Sequence, residues 1–117
     1  MTTAPSGTRS QPRYALDVDC TIMALGATLR ARTRNLSRSG ISCMVPQTLI
    51  PGTEVVIEMA LSFGGDEYSE PIRLPATIMW CTKVGQAWQL GARFEAAQPP
   101  MGELLEVFLQ FLRGIGD

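Results

Sequence analysis

Apolar and polar residues alternate along the chain from Tyr14 onward, and this period of two indicates β-strands with one buried face. We predict a first strand over residues 14–22 and a second over residues 27–34, with a turn at Gly26 between them. The apolar positions are Tyr14, Leu16, Val18, Cys20 and Ile22 in the first strand, and Ala27, Leu29, Ala31 and Thr33 in the second. The opposite face of the second strand carries Thr28, Arg30, Arg32 and Arg34. This strand is therefore expected to be half buried, with its arginines in solvent.

Four further strands are predicted by the same pattern. They cover residues 41–45, 54–63 and about 72–83, and a sixth strand carries Trp88, Leu90, Ala92 and Phe94. The connections are a turn over 35–40, a loop over 46–53, a break at 64–66 and a tight hairpin at 84–86. Pro75 indicates an edge position or a bulge in the fifth strand. Trp80 and Trp88 fall on the apolar faces of their strands, so we expect them in the core rather than as a stacking surface.

The period changes after Pro99 and Pro100, where apolar residues recur at helical spacing. The face consists of Met101, Leu104, Leu105, Phe108, Leu109 and Leu112, which predicts a helix over 101–113 that ends at Gly114. Val107 and Phe111 widen this face, so the helix covers the sheet or also meets a partner; core packing is the simpler interpretation. Six short strands and one closing helix predict a mainly β protein, a six-stranded antiparallel barrel with a C-terminal α-helix.

The length of 117 residues and a composition of 45% hydrophobic and 18% charged residues fit one globular domain. We expect that domain over 13–117, after a flexible segment of residues 1–12 that is rich in Thr, Ser, Pro and Gly. The net charge of −1 argues against coating of nucleic acid, but the charge is unevenly distributed. Residues 1–40 hold six arginines and two acids, whereas residues 41–117 hold four basic and nine acidic residues. The first part would attract an anion, or its arginines form a solvated strand face.

Three isolated cysteines and the lack of histidine limit the kinds of metal site and catalysis that the chain can support. Cys20, Cys43 and Cys81 lie in apolar runs, which favours small buried side chains over a metal site. Without a histidine base, a close carboxylate pair or a glycine-rich phosphate loop, an enzyme is poorly supported. Neither a signal peptide nor a long apolar run is visible, so we expect a reduced, cytoplasmic protein without membrane insertion.

Two short motifs suit an anionic ligand. Arg9 and Arg13 lie four residues apart in the N-terminal segment, and the turn reads Asn35-Leu36-Ser37-Arg38-Ser39-Gly40. A guanidinium group bonds a phosphate or a guanine edge through two parallel N–H donors, and it also stacks on a purine. The turn offers an amide, hydroxyl groups and a glycine that permits a positive φ or close backbone approach. Together they predict a docking site for a small phosphate-bearing molecule, although Asn, Ser and Gly are also ordinary turn residues.

In their order and positions these motifs resemble those of the PilZ domain family, bacterial receptors for cyclic dimeric GMP (c-di-GMP). The family's RxxxR is similar to residues 9–13, its (D/N)xSxxG to residues 35–40, and the stretch Gly91-Ala92-Arg93-Phe94 also looks like family members. The resemblance implies c-di-GMP as the ligand, no cofactor, and a role in motility or biofilm regulation. It implies ligand contacts from Arg9, Arg13, Asn35, Ser37 and Gly40, with Arg38 and Ser39 as further candidates.

The sequence thus predicts a non-catalytic receptor in which c-di-GMP orders the N-terminal segment. Since the length indicates one domain, the signal is expected to leave by contact with an unidentified protein partner, and a homodimer stays open. The main alternative is an adaptor with the same fold and no nucleotide role. Binding of single-stranded nucleic acid through Arg30, Arg32 and Arg34 is a third reading, but no aromatic residue lies on their face of the strand.

Overall fold

The computed structural model of the chain describes residues 14–15, 17–60, 62–64, 67–68, 70–95 and 101–116. Arg9 and Arg13 therefore lie outside the described residues. In this part of the chain the strands are β1 Tyr14–Ala15, β2 Asp19–Ala24, β3 Ala27–Leu36, β4 Gly40–Val45, β5 Glu54–Met59, β6 Ser62–Gly64, β7 Glu67–Tyr68, β8 Ile72–Val84 and β9 Ala87–Phe94. One helix follows, α1, over Met101–Gly116.

Six of the strands close into an antiparallel barrel. Its order is β3-β2-β5-β8-β9-β4, and β4 pairs back onto β3. The short β1 adds to the end of β3, and β6 pairs with β7 in a separate hairpin. The predicted six-stranded antiparallel barrel with a C-terminal helix is confirmed.

Side chains from all six barrel strands and from α1 form a single apolar core. Ile22, Leu36, Ile57, Ile72, Leu74, Ile78, Leu90 and Phe108 are among its largest fully buried members. Leu105, Phe108 and Leu109 place one face of α1 in this core, while Val107 is 53% exposed. The helix packs against β8 and β1, so it covers the barrel next to the N-terminal strand.

Two hairpin turns follow the local sequence. Leu25 and Gly26 join β2 to β3 with φ of 54° and 80°, a pair of positive values that is typical of a tight two-residue turn. Gly85, with φ of 64°, joins β8 to β9. The turns predicted at Gly26 and at 84–86 are confirmed.

A bulge in β8 accounts for the clearest departure from the sequence pattern. Ile78 pairs with Ala92, yet Trp80 pairs with Gly91, so β8 advances two residues where β9 advances one. Such a bulge turns the following side chains to the opposite face of the strand. Trp80 is therefore 43% exposed, and its predicted place in the core is wrong. Trp88 is partly buried and packs against the core.

Several element boundaries also differ from the alternating pattern: β3 continues to Leu36, β4 begins at Gly40, and β8 ends at Val84. The first predicted strand is divided into β1 and β2, and the predicted fourth strand ends at Met59 before the separate β6. The helix continues to Gly116 rather than ending at 113.

Pro75 lies inside a strand that is flanked by β5 and β9, so it does not occupy an edge strand of the sheet. It pairs with Val56 on one side, and its carbonyl accepts the Glu95 amide at 2.9 Å just beyond the last β8–β9 pair, Ala76 and Phe94. Proline has no N–H to return to the carbonyl of Glu95, but Glu95 is exposed at the end of the β8–β9 ladder, where water can satisfy that carbonyl.

Candidate functional site

The turn that links β3 to β4 is organised by the Ser37 side chain. Its hydroxyl oxygen accepts the amide N–H groups of Ser39 at 3.3 Å and of Gly40 at 3.2 Å. The Ser37 amide donates to the Gly40 carbonyl at 2.9 Å, and the Ser39 carbonyl accepts the Phe94 amide at the same distance. Ser37 is buried at 6% exposure. A small hydroxyl residue at position 37 therefore sets the shape of the turn, and the backbone of Ser39 joins the turn to β9.

Gly40 is required by a close approach of two strands rather than by its backbone angle. It pairs with Arg93 and is absent from the residues with positive φ. A Cβ atom on Gly40 would lie 2.6 Å from the carbonyl oxygen of Ala92, too close for any side chain without backbone movement. Of the two roles predicted for this glycine, the structure shows the close approach.

A cleft of about 180 Å³ opens beside this turn. It is lined by Asn35, Ser37, Ser39, Gly40, Ile41, Ser42, Met79, Trp80, Gly91, Ala92 and Arg93. The cleft thus contains four of the motif residues singled out from the sequence. Asn35 is half buried at the end of β3, opposite Ala15 and Ser42, and its side-chain amide makes no hydrogen bond within the described residues.

The strand register brings the start of the described chain to the same place. Tyr14 pairs with Leu36, and Ala15 pairs with Asn35. The residue that follows Arg13 is therefore opposite the residue that precedes Ser37. The first described residues of the chain thus lie beside the motif turn.

The decisive comparison is with a family model described as "PilZ domain", which matches residues 7–111 of the chain. The chain belongs to the PilZ domain family. That match covers both RxxxR and the Asn35–Gly40 motif. A search of the curated proteins finds no match.

Several solved structures share the fold of this PilZ domain. The PilZ domain of YcgR from Escherichia coli, solved with c-di-GMP, superposes with a TM-score of 0.74 at 18% identity over 93% of this chain and 94% of that one. MotI/DgrA of Bacillus subtilis, an inhibitor of motility, gives a TM-score of 0.74 at 15% identity, and the match covers 93% of this chain. A tetrameric PilZ protein from Xanthomonas campestris gives 0.54 at 26% identity and 78% coverage. The chain spans about half the length of the last two, 52% and 48%.

Trp80 and Arg93 are cleft residues that the sequence did not predict as ligand contacts, although Arg93 belongs to the Gly91–Phe94 stretch that looks like family members. The indole ring of Trp80 covers the backbone of Gly91, since a Cβ atom there would overlap Nε1, Cε2 and Cζ2 of the ring. One ring face is thus held against β9, while part of the side chain is exposed in the cleft. Arg93 is exposed on the same wall and forms no ion pair within the described residues. Gly91 inside an apolar strand was the available signal, because an interior strand glycine often marks close approach.

Arg38 leaves the turn in another direction. Its Nε and Nη2 atoms donate to the two carboxylate oxygens of Glu106 on α1, at 2.7 and 2.9 Å. Arg38 is absent from the cleft lining, whereas its neighbours Ser37 and Ser39 both belong to it. A ligand contact by Arg38 stays a prediction.

A larger cleft of about 690 Å³ shares no residue with the motif. It includes the three arginines of β3 together with Asp17 and Asp19. Arg32 donates from Nε to Asp17 and from Nη1 to Asp19, each at 2.7 Å. The hydrogen bond from Arg32 and its positive charge hold the pKa of Asp17 below its ordinary value. Arg32, one of the three arginines considered for nucleic-acid binding, is therefore paired with two carboxylates.

The cysteines follow the prediction in part. Cys20 and Cys43 are buried in the core with their sulfur atoms 3.8 Å apart, whereas Cys81 is half buried. The hydrogen bond with Cys20, together with burial, raises the pKa of the Cys43 thiol. In the described part of the chain, three or more metal-binding side chains do not gather at any point. No described helix is long and apolar enough to cross a membrane.

Proposed function

We propose that this PilZ domain is a non-catalytic receptor for c-di-GMP. The observation that carries the proposal is the pairing of Tyr14 with Leu36, which brings the attachment point of the RxxxR segment to the Asn35–Gly40 turn. The two motifs are separated by more than twenty residues of sequence, yet they can reach one ligand. The c-di-GMP in the YcgR PilZ structure supports the same choice of ligand.

The size of the cleft favours a ligand that is enclosed from two sides. A volume of about 180 Å³ is below the roughly 300–1,000 Å³ typical of pockets that bury a whole ligand. The cleft therefore accepts part of a cyclic dinucleotide. Arg9 and Arg13 would cover the remainder and neutralise its phosphodiester charges through bidentate hydrogen bonds.

Within the cleft, each wall offers a different contact. The Asn35 amide, which has no hydrogen-bond partner among the described residues, suits a base edge. The exposed indole of Trp80 suits a guanine ring, because aromatic stacking tolerates any base. Arg93 adds a positive charge to the wall on β9. Ser37 and Gly40 contribute mainly through the shape and closeness of the turn, and Ser39 lies at its rim.

We propose that binding orders the segment of residues 1–12 against the barrel and so changes the surface that a partner protein meets. In this proposal the ordered segment contributes ligand contacts through Arg9 and Arg13. Ligand binding and the ordering of the segment are therefore thermodynamically linked. The signal then passes by protein contact, in a cytoplasmic setting and without catalysis.

Isothermal titration calorimetry with c-di-GMP tests the proposal, with cyclic GMP as the control ligand. We expect saturable heat with c-di-GMP and none with cyclic GMP at the same concentrations. The titration also gives the number of ligand molecules per chain. Absence of heat at high-micromolar protein would overturn the receptor and favour the adaptor, whose contacts are with protein alone.

A further inference from the structure

The ion pair between Arg38 and Glu106 joins the ligand-binding turn to the C-terminal helix. The two residues are 68 positions apart, and Nε and Nη2 of Arg38 donate to the two oxygens of the Glu106 carboxylate. This fork geometry fixes direction as well as distance, which a single contact between flexible side chains does not.

Both ends of the pair rest on ordered structure. Arg38 stands between Ser37 and Ser39, whose backbone groups are bonded to Gly40 and Phe94. Glu106 lies on α1 between Leu105 and Phe108, which are buried at 4% and 2% exposure. The helix also packs against β1, the strand that continues directly from Arg13. One helix thus contacts both parts of the chain that bring the two motifs together.

We infer that Arg38 and Glu106 are positioning residues, and that α1 braces the turn in the form that receives the ligand. This inference rests on the proposed c-di-GMP function and assigns to Arg38 a role other than ligand contact. The pair keeps Arg38 directed away from the cleft, so that Ser37 and Ser39 face it. It persists when the ligand binds.

Linkage gives the brace a second consequence. If α1 holds the turn in its binding form, then ligand bound to the turn must stabilise the docked helix by the same free energy. Amide hydrogen exchange in α1 should therefore slow when c-di-GMP is added, although the helix does not line the cleft. Because ligand slows any exchange that proceeds by global unfolding, the informative amides are those of α1 that exchange by local opening: their exchange slows if the pair holds the turn, and is unchanged if the pair only adds to the stability of the fold.

Calorimetry on four variants of the pair and one control variant tests the inference. Because both side chains of the pair are partly exposed, R38Q and E106Q should each lower c-di-GMP affinity by about 1.5- to 5-fold. The double variant R38Q/E106Q should be no weaker than either single variant, since both remove one interaction. The charge swap R38E/E106R should restore most of the parental affinity. R32Q is the matched control: it breaks another exposed arginine–carboxylate pair, outside the motif cleft, and should leave affinity unchanged.

The alternatives give different patterns. A charge swap that binds worse than R38Q would mean that Arg38 contacts the ligand itself, because a carboxylate there would repel the phosphates. An E106Q variant that binds as well as the parent, or better, would overturn the brace; tighter binding would indicate that Glu106 competes with the ligand for Arg38. If the parent protein does not bind c-di-GMP, both the proposed function and this inference are wrong. A parent that binds and an E106Q variant that matches it overturn the inference alone.

Discussion

The Trp80 indole rests on the backbone of Gly91, the residue opposite it across the β8–β9 pair. The bulge after Ile78 turns Trp80 out of the core, and the lack of a side chain at Gly91 lets the ring lie against the strand. The result is a preoriented aromatic surface on one wall of the motif cleft. A ring already fixed in this way loses little entropy when a base stacks on it.

Gly91→Ala should lower c-di-GMP affinity by lifting the indole from β9. The added methyl group overlaps three ring atoms, and such overpacking costs typically about 1–3 kcal/mol of folding stability. Titrations would be followed by tryptophan fluorescence in a Trp88→Phe background, so that Trp80 is the sole emitter. Ligand should change the Trp80 emission of the Trp88→Phe protein, but it should have a much smaller effect on the emission of the Trp88→Phe/Gly91→Ala protein. An unchanged affinity with a displaced ring would exclude stacking on Trp80.

Arg13→Ala should weaken ligand binding and leave the melting temperature nearly unchanged. A bidentate arginine contact discriminates by roughly 1–3 kcal/mol, which corresponds to about a 5- to 150-fold loss of affinity. Arg30→Ala is the matched control, because Arg30 is an exposed arginine on β3 that does not line the motif cleft. Calorimetry and thermal unfolding of both variants give the answer. Parental affinity in Arg13→Ala would show that the RxxxR segment does not hold the ligand.

Gly40→Val should damage folding and binding together. Its Cβ would meet the Ala92 carbonyl oxygen at 2.6 Å, so β4 and β9 must separate at the turn, with a cost of about 1–3 kcal/mol. Gly26→Ala serves as the control for lost stability alone. Gly26 has φ of 80° with open space around it and does not line the cleft, so alanine there costs about 1–2 kcal/mol through backbone strain alone. We expect urea unfolding to show losses in both variants and calorimetry to show weakened binding only in Gly40→Val.

The three thiols should differ in reactivity towards a disulfide reagent such as Ellman's. Cys81 is half buried and should react in the native protein, whereas the Cys20 and Cys43 thiols are in the core. The raised pKa of Cys43 further lowers its thiolate fraction at neutral pH. In buffer, the absorbance change of the fast phase should correspond to about one thiol, and in guanidinium chloride it should correspond to all three. The Cys81→Ser variant should lack the fast phase in buffer. Equal rates for three thiols in buffer would mean that the barrel core opens easily.

Much of the fold could be read from the sequence, because its causes are local. The alternation in β3 placed Ala31 and Thr33 inside and the arginines outside, as the structure has them. The turns at Gly26 and Gly85 follow from the residues that occupy them. The helix face of α1 was also visible, although its end was not, since the helix continues through Gly114 to Gly116.

The site was predictable only where its residues are consecutive. Ser37, Ser39 and Gly40 form a turn through their own hydrogen bonds, and Asn35 precedes it at the end of β3, so the proximity of the motif residues is given by the chain itself. Trp80 was misplaced because a bulge interrupts the period of two, and the reason for that bulge lies in the pairing with β9. The contact of Arg38 with Glu106 could not be predicted, since nothing local links residues 68 positions apart.

The sequence by itself determined which stretches become strands, turns and helix, and which short motifs could bind an anion, because periodicity and turn chemistry act over a few residues. Only the tertiary structure decided that β1 lies beside the motif turn, that Gly40 is needed to let β9 approach, and that α1 reaches Arg38. These relationships arise from barrel closure, which brings distant segments into contact through strand register and core packing rather than through any property of the segments alone.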